Sequence, residues 1–150
     1  MTCTIKILQP GDELVLLNVA SGVFDHPVDA KLTKEFLEDK RHHIAAAIDD
    51  GRVVGFASGV HYIHPDKPPE LWINEVGVAP THRGRGLGKA VLQALLEVGK
   101  AHNCAAAWVL TDRDNANAMA LYSSAGGVEG SAGAGSELGD KIVGFSFALG

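Results

Sequence analysis

The stretch RGRGLG, residues 83–88, decides the fold of this chain. It stands between an apolar run, Leu71 to Val78, and an amphipathic run, Leu87 to Val98. In a glycine-rich turn between a strand and a helix, the missing Cβ atoms let the backbone close around an anion, and the first helical N–H groups point at it. The two arginines of the stretch and Lys89 add positive charge. The stretch therefore predicts a loop that binds a phosphate or pyrophosphate.

Two common phosphate loops do not fit this spacing. A Walker loop ends in Gly-Lys-Ser/Thr, whereas Ala90 follows Lys89 here and Arg83 takes the place of the first glycine. A dinucleotide-binding fingerprint needs a third glycine at the position of Lys89. An ordinary glycine-rich turn without a ligand stays open as the plain alternative.

A second motif follows a predicted strand, Cys104 to Thr111. The pattern Asn115-x-x-Ala118-x-x-Leu121-Tyr122 predicts a helix, with Asp112 or Asp114 as its N-cap and Gly126 as its C-terminal stop. The two motifs, in this order, resemble the GNAT family of N-acetyltransferases, whose glycine-rich loop binds the pyrophosphate of acetyl-CoA. The resemblance covers about residues 52–127. Gly127 departs from the family pattern, which usually has Phe there, and leaves the packing after the helix open.

The resemblance implies the fold and the cofactor. The fold class is α/β (α+β), with a mixed, mostly antiparallel sheet splayed into a V, helices on both faces, and a single domain over residues 1–150. The V would open where Leu71–Val78 leaves Cys104–Thr111. Acetyl-CoA is the implied acyl donor, and no metal is expected, because positive charge comes from arginine and the helix terminus. The implied donor-binding residues are Val76, Gly77, Val78, Arg83, Gly84, Arg85, Gly86, Leu87, Gly88, Lys89, Asn115, Ala118 and Tyr122.

The remaining elements follow from alternation and turn signals. The Asp-Gly pair at positions 50 and 51 predicts a hairpin between two neighbouring strands, and Gly126–Gly139 predicts a hairpin loop. The predicted elements are an opening strand (Thr4–Leu8), a short helix (Asp12–Ser21), a second helix (Asp29 to about Glu38), the hairpin strands (His43–Ile48 and Arg52–His61) and a last strand (Lys141–Leu149).

The chemistry needs a base for the amine and an acid for the departing thiolate. Glu75 is the candidate base, since an acid inside an apolar strand is costly without a reason. A solvated position on the outer face of the strand is its alternative. Tyr122 stands at the family's general-acid position, and its alternative is packing on the inner face of its helix. The resemblance also implies that the N–H of Val76 polarises the acetyl carbonyl and that Gly77 lets acetyl-CoA approach closely.

The amine substrate is indicated by a closer resemblance to the aminoglycoside 3-N-acetyltransferase branch, carried by Glu75 before Val76-Gly77-Val78 and by Phe24-Asp25-His26-Pro27. A polycationic aminosugar requires carboxylates around the acceptor site, and the candidates are Asp25, Asp29, Glu75, Glu137 and Asp140. Two alternatives stay open: another amine, such as a polyamine, an amino acid or a protein N-terminus, and a non-catalytic acyl-CoA sensor. His26, His61 and His64 are interpreted as surface or packed histidines.

Charge and composition indicate which kinds of binding partner and cellular location to expect. The net charge of −5 argues against nucleic acid and fits a cationic substrate. We expect no membrane segment, because no apolar run approaches the roughly 20 residues of a span. Cys3 and Cys104 show no disulfide or metal spacing, so a cytoplasmic location is expected. A homodimer is expected by resemblance, with the final strand or the Gly126–Gly139 segment near the interface.

Overall fold

The computed structural model describes residues 3–130 and 141–150. In these ranges, strands and helices alternate around one continuous hydrophobic core. The strands are β1 (Cys3–Ile7), β2 (His42–Asp49), β3 (Arg52–Tyr62), β4 (Glu70–Val78), β5 (Ala106–Asp112), β6 (Val128–Glu129) and β7 (Ile142–Ala148), and the helices are α1 (Ala30–Glu38), α2 (Leu87–Ala101) and α3 (Ala116–Ser124). Short 3₁₀ turns cover Glu13–Leu17 and Pro80–His82.

The strands form one sheet in the order β1-β2-β3-β4-β5-β7-β6. All neighbouring strands run antiparallel except β4 and β5, which are parallel. This parallel contact extends only from Glu70–Ala106 to Trp72–Trp108. Beyond Trp72, β4 stays paired with β3 while β5 stays paired with β7, so the two strands diverge. The predicted mixed, mostly antiparallel sheet that opens into a V is confirmed.

Helices cover both faces of the sheet, as predicted. Side chains on a strand alternate between its two faces, so Phe56 and Gly59 of β3 lie on opposite sides. Gly59 lies against Leu95 of α2. Phe56 shares a cavity with Phe36 of α1. No helix in the described part of the chain is both long and apolar enough to span a bilayer.

A β-bulge in β4 changes the direction of the side chains that follow it. Ser58 of β3 pairs with Glu75, but the next residue, Gly59, pairs with Ile73. Asn74 is therefore the extra residue of β4, with no partner on β3. Bulges of this kind bend a strand and reorient its side chains, often beside functional sites. The bulge places Glu75 opposite Ser58, on the α1 side of the sheet.

The local signals of the β2–β3 hairpin and of α1 are confirmed. Asp50 and Gly51 both have positive φ, at 51° and 75°, as a tight hairpin turn requires. Helix α1 begins after Asp29, whose side chain accepts a hydrogen bond from the N–H of Leu32 at 2.8 Å. Gly126, with φ of 96°, follows the end of α3 as predicted.

The predicted helix over Asp12–Ser21 is wrong beyond a single 3₁₀ turn. The chain after this turn pairs with β3 instead, because the N–H of Val53 donates to the Asn18 carbonyl at 2.9 Å and the N–H of Ala20 donates to the Val53 carbonyl at 2.9 Å. These contacts with a residue distant in sequence compete with helical hydrogen bonds. Tertiary pairing therefore overrides the apolar periodicity of this segment.

Other boundaries differ in smaller ways. The N-cap of α3 is Asn115, whose side chain accepts from the N–H of Ala118 at 3.0 Å, and not Asp112 or Asp114. Part of the predicted Gly126–Gly139 loop forms β6, which pairs with β7. The rest of that loop, including Glu137 and Asp140, lies outside the described residues.

Candidate active site

The opening of the V forms a cleft of about 790 Å³. One wall is the end of β4, the far end is the loop of residues 83–88, and the other wall is α3. The residues that line it are Val76, Val78, His82, Arg83, Gly84, Gly86, Leu87, Gly88, Lys89, Asn115, Asn117, Ala118, Ala120, Leu121, Tyr122 and Ser124. Two separate sequence motifs therefore meet at one cleft.

The glycine-rich loop has the properties of an anion site. Gly84 and Gly86 have φ of 76° and 78°, the left-handed region that glycine adopts without strain. A Cβ atom added at either residue would meet no other atom within 4 Å. Gly86 is also the N-cap of α2 and makes no side-chain cap hydrogen bond. The first helical N–H groups have no partner within the helix, so they and the open space beside the glycines fit a pyrophosphate.

Arg83 contacts the end of β4. Its Nε donates to the backbone carbonyl of Val78 at 3.3 Å, so that carbonyl is accessible from the cleft. Backbone groups of alternate residues in an antiparallel strand point to the same side. The N–H of Val76 is thus expected to point towards the cleft as well.

Tyr122 lies on α3 at the inner wall of the cleft. The residue is 6% exposed and packs near Phe145, with ring centroids 5.7 Å apart. Its hydroxyl makes no hydrogen bond to another residue within the described ranges. Burial raises the pKa of the Tyr122 phenol, and the charge of Glu75 raises it further. Tyr122 is therefore protonated at neutral pH and sits within electrostatic reach of Glu75.

A second cavity, of about 310 Å³, lies on the α1 side of the sheet. Apolar and aromatic side chains form most of its wall, and Glu75 lies at its edge. The lining residues are Leu16, Phe24, Asp25, His26, Pro27, Val28, Asp29, Leu32, Thr33, Phe36, Ile44, Phe56, Ser58 and Glu75. We refer to it as the acceptor cavity.

Glu75 is exposed at the mouth of the acceptor cavity, yet its surroundings perturb it. Partial burial raises the pKa of its carboxyl, and the nearby charge of Asp25 raises it further, while His26 opposes both effects. A carboxylate with a raised pKa is a better proton acceptor at neutral pH than an ordinary one. The position and the environment of Glu75 suit a group that accepts a proton.

The predicted substrate-binding acids divide into groups. Asp25 and Glu75 meet at the acceptor cavity. Asp29 also borders it, but its carboxylate already caps α1 through Leu32, so its task is structural. Glu137 and Asp140 lie outside the described residues.

Two predicted donor-binding residues do not line the cleft: Gly77 and Arg85. Space beside Gly77 is taken by the chain itself, because a Cβ there would lie 2.7 Å from the Val23 carbonyl and 3.0 Å from the Phe56 ring. Phe56 in turn stacks on Phe24, with ring centroids 4.2 Å apart. Gly77 thus makes room for the aromatic wall of the acceptor cavity, a reason that the sequence does not reveal.

The sequence interpretation missed His82, which lines the cleft directly before Arg83. Its Nε2 lies 2.8 Å from a carboxylate oxygen of Asp49, and its Nδ1 lies 2.8 Å from the hydroxyl of Thr81. Its place beside the glycine-rich loop is the one signal that would have indicated it. The other missed residues lie on α3: Asn117, Ala120, Leu121 and Ser124. Leu121 follows Ala118 at helical spacing, which indicates it from sequence, whereas no predicted site residue indicates the other three.

Comparison with known proteins agrees with this geometry. The sequence pattern of the Acetyltransferase (GNAT) family matches residues 14–126. The chain belongs to the GNAT family. Acetyl-CoA is the acyl donor of GNAT acetyltransferases, and the glycine-rich loop and cleft described above fit it.

Several relatives of this GNAT chain carry acetyltransferase names. It is 37% identical over 75 residues to L-2,4-diaminobutyric acid acetyltransferase of Nocardia farcinica, an alignment that covers 50% of this chain and 38% of the relative. It is 32% identical over 134 residues to mycothiol acetyltransferase of Thermomonospora curvata, an alignment that covers 82% of this chain and 43% of the relative. The chain thus spans about two fifths of the length of these relatives.

The fold of this GNAT chain is similar to that of an aminoglycoside acetyltransferase from an uncultured soil metagenomic sample. The TM-score is 0.69 at 24% sequence identity, and the match covers 84% of this chain and 91% of the other. At this identity, the similarity concerns the fold.

Proposed function

We propose that this chain transfers an acetyl group directly from acetyl-CoA to a primary amine. The observation that carries the proposal is the pair of Glu75 and Tyr122. Glu75 lies on β4 and Tyr122 on α3, and both are near the opening of the sheet. The negative charge of Glu75 raises the pKa of the Tyr122 phenol. One group is suited to accept a proton and the other to donate one.

The donor side consists of the glycine-rich loop and the end of β4. When bound, acetyl-CoA supplies an acetyl thioester that an amine can attack. The N–H groups at the start of α2 would hold its pyrophosphate, with Arg83 and Lys89 adding positive charge. The N–H of Val76 would donate to the acetyl oxygen, where negative charge develops during attack. The access of Arg83 to the Val78 carbonyl supports this orientation of the strand.

Glu75 removes the proton that blocks the amine. At neutral pH the amine is an ammonium ion, and its nitrogen has a lone pair only after it loses a proton. The Glu75 carboxylate takes this proton, directly or through a water molecule. Tyr122 donates its phenolic proton towards the sulfur that leaves as a thiolate. The nitrogen loses its second proton as the C–S bond breaks, and this proton passes through solvent to the Tyr122 oxygen. Glu75 releases the first proton to solvent, so both residues return to their starting protonation states.

The acceptor cavity favours an amine attached to a compact apolar body. Phe24, Phe36 and Phe56 contribute aromatic wall, and Asp25 and Glu75 supply negative charge at one edge. Such a wall stabilises an apolar group by burial, and the two acids attract the ammonium. A polycation would leave its remaining charges against apolar surface, which costs free energy.

An aminoglycoside is the second candidate substrate. The acids Asp25 and Glu75, together with a fold similar to that of an aminoglycoside acetyltransferase, favour it. Against it stands the apolar lining of the acceptor cavity within the described residues. The segment of residues 131–140, which contains two further acids of the sequence, is not described.

A panel of amines tests the proposal. CoA release is followed with acetyl-CoA and, in turn, an arylalkyl amine, 2,4-diaminobutyrate, a polyamine and an aminoglycoside. We expect the highest kcat/KM for the arylalkyl amine. A preference for the aminoglycoside would select the second candidate. Binding of acetyl-CoA without turnover on any amine would contradict an enzyme and favour the acyl-CoA sensor.

We also propose, from family resemblance, a cytoplasmic homodimer with the final strand β7 or the Gly126–Gly139 segment near its interface. Within the described residues, β7 lies next to β6, the last strand on that side of the sheet. Solution scattering at the assay concentration tests the assembly. A monomeric mass would contradict it.

A further inference from the structure

Three histidines converge on the α2 side of the sheet. His43 lies on β2, His61 on β3, and His102 is the C-cap residue of α2. Each offers a ring nitrogen, and these atoms all lie within 4.8 Å of one another. Helix α2 has 15 residues and is therefore about 22 Å long. The cluster thus lies at the end of α2 opposite the glycine-rich loop, outside the acetyl-transfer cleft.

The three rings form a nearly equilateral triangle. The ring centroids are 5.0 Å apart for His43 and His61, 4.8 Å for His43 and His102, and 4.7 Å for His61 and His102. A zinc ion bound to an imidazole nitrogen lies about 3.2 Å from the ring centroid, so three rings at tetrahedral angles have centroids about 5.2 Å apart. The observed triangle differs from this by only a few tenths of an ångström.

We propose that His43, His61 and His102 form a zinc site, with three imidazole ligands and a water molecule in the fourth position. Imidazole is a common zinc ligand, and three protein ligands with one open position is an established arrangement. Two ligands come from neighbouring strands of the sheet, and the third comes from a helix end. The ion would connect the C-terminus of α2 to β2 and β3.

Zinc binding requires a proton rearrangement and a small movement of the rings. The Nε2 of His43 and the Nδ1 of His61 are 2.7 Å apart, joined by a hydrogen bond in which one ring carries the proton. That proton moves to the other nitrogen of its own ring by tautomer exchange through solvent, and both facing nitrogens then have lone pairs. Burial and, to a smaller extent, the nearby charges of His102 and His61 together lower the pKa of His43 to about 4, so this ring is neutral at pH 7. The two facing nitrogens then separate to about 3.3 Å, the N–N distance of two imidazoles on a tetrahedral zinc ion.

The surroundings of the cluster allow a cation. His102 is exposed, which leaves a path for the ion and room for the water ligand. The positive charge of Arg41 is near His61 and opposes a cation there. Arg41 is, however, paired with Asp39, with an N–O distance of 3.6 Å. The local field of this pair is therefore smaller than that of an isolated arginine.

Isothermal titration calorimetry tests the site. The chain is prepared without a polyhistidine tag, stripped of metal with a chelator, and titrated with zinc chloride. We expect one zinc ion per chain. His102→Asn should weaken binding by at least about 100-fold, since loss of even an outer-shell partner costs about 10- to 100-fold. His64→Asn is the matched control, because His64 is an exposed histidine that pairs with Asp66 outside the cluster.

Three further measurements show whether a loss of zinc binding comes from the missing ligand or from an unfolded variant. His102 is exposed, and circular dichroism should show that His102→Asn keeps its fold. Cobalt(II), added as a spectroscopic probe, should give the visible absorption of a tetrahedral site in the unchanged protein and in His64→Asn, but not in His102→Asn. Zinc should likewise raise Tm only where the cluster is complete.

Two of these results would overturn the proposed zinc site. Absence of zinc binding, or equal binding by His102→Asn and the unchanged protein, would overturn it. The acetyl-transfer rate should be the same with and without chelator, because the cluster is far from the cleft. If the chelator lowers the acetyl-transfer rate of both the unchanged protein and His102→Asn, the metal binds elsewhere. That result would overturn the assignment to these three histidines.

Discussion

At the residue scale, Glu75 combines two features that suit a base. The bulge at Asn74 directs it to the mouth of the acceptor cavity, and partial burial with Asp25 nearby raises the pKa of its carboxyl. The sequence left open a solvated position for Glu75 on the outer face of the strand. That position alone does not account for the raised pKa of its carboxyl.

The first prediction concerns Glu75→Gln. Turnover should fall by a factor on the order of 10² or more, because the amine loses its proton acceptor. Binding of acetyl-CoA should not change, since Glu75 lies on the acceptor side. Steady-state kinetics and calorimetry measure the two effects. Glu70→Gln, at the start of the same strand, is the control and should keep the rate of the unchanged enzyme.

The pH dependence follows from the same residue. The base acts only when ionised, so kcat should fall as the pH drops through the raised pKa of Glu75. The pH of this acidic limb should be higher than the ordinary pKa of a glutamate, and the limb should be absent from Glu75→Gln. A variant with the same limb would assign proton transfer to another group.

The second prediction concerns Tyr122→Phe. Removal of the hydroxyl should lower kcat by a factor on the order of 10², because the departing thiolate loses its proton donor. The dissociation constant of the amine should stay unchanged, since the phenol does not line the acceptor cavity. Tyr62→Phe removes an exposed phenol hydrogen-bonded to Glu70 and serves as the control. Equal loss in both variants would contradict a catalytic role.

At the element scale, we expect the start of α2 to determine the binding of acetyl-CoA. Gly86 needs both its left-handed backbone and the open space beside it. Gly86→Val should weaken acetyl-CoA binding at least about tenfold, because the new side chain would occupy the space of the pyrophosphate and strain the backbone by about 1–2 kcal/mol. Calorimetry measures the affinity.

Gly11→Val separates backbone strain from obstruction of the site. Gly11 also has positive φ, at 100°, and open space beside it, but it lies in the turn before the first 3₁₀ segment. This variant should lose comparable stability and keep its affinity for acetyl-CoA. Unchanged affinity in Gly86→Val would refute the assignment of the loop.

The packing at the end of α3 accounts for Gly127, which stands where the family pattern usually has Phe. A Cβ at Gly127 would lie 2.9 Å from the ring of Phe147 and 2.8 Å from the Tyr122 carbonyl. Phe147, from β7, thus fills the space beside the residue at which the family usually carries Phe. The aromatic ring is supplied by a distant strand, which leaves the helix end packed.

The fourth prediction tests this exchange of aromatic residues. Gly127→Phe should destabilise the fold by at least about 1–3 kcal/mol through overpacking. Phe147→Ala should cost about 3–5 kcal/mol through the cavity it leaves. The double variant should lose less than the two single losses combined, by about 1 kcal/mol or more, because each change relieves the other. Urea unfolding measures the three free energies, and strict additivity would contradict the exchange.

At the scale of the whole molecule, the cleft proposed for acetyl-CoA and the acceptor cavity proposed for the amine are separate, and both are open in the same structure. The donor cleft and the acceptor cavity lie on different sides of β4. No cysteine lines either of them within the described ranges. Cys104 is buried in the core, and its burial raises the pKa of its thiol, which makes it a poor nucleophile.

The fifth prediction is a sequential mechanism. Initial-rate plots against both substrates should intersect, because the amine attacks the bound thioester and no acetyl-enzyme forms. The mass of the protein incubated with acetyl-CoA alone should stay unchanged. Parallel rate plots together with a gain of one acetyl group in mass would contradict direct transfer.

Sequence alone determined the parts that depend on local spacing. The glycine-rich turn at Gly84 and Gly86, the hairpin at Asp50 and Gly51, and the helix after Asn115 could be predicted, because turn geometry and helical spacing involve residues close together in the chain. The catalytic roles assigned to Glu75 and Tyr122 stay predictions. Asp12–Ser21 shows the limit, since its apolar periodicity predicted a helix that pairing with Val53 replaced.

Only the tertiary structure decided which distant residues meet. The acceptor cavity takes its aromatic wall from Phe24, Phe36 and Phe56, which come from three different elements. The contacts of Gly77 and Gly127, and the meeting of His43, His61 and His102, likewise depend on how the helices and strands pack. Periodicity shows which face of an element is buried, but not what that face is buried against, because many arrangements of the same elements satisfy the same pattern.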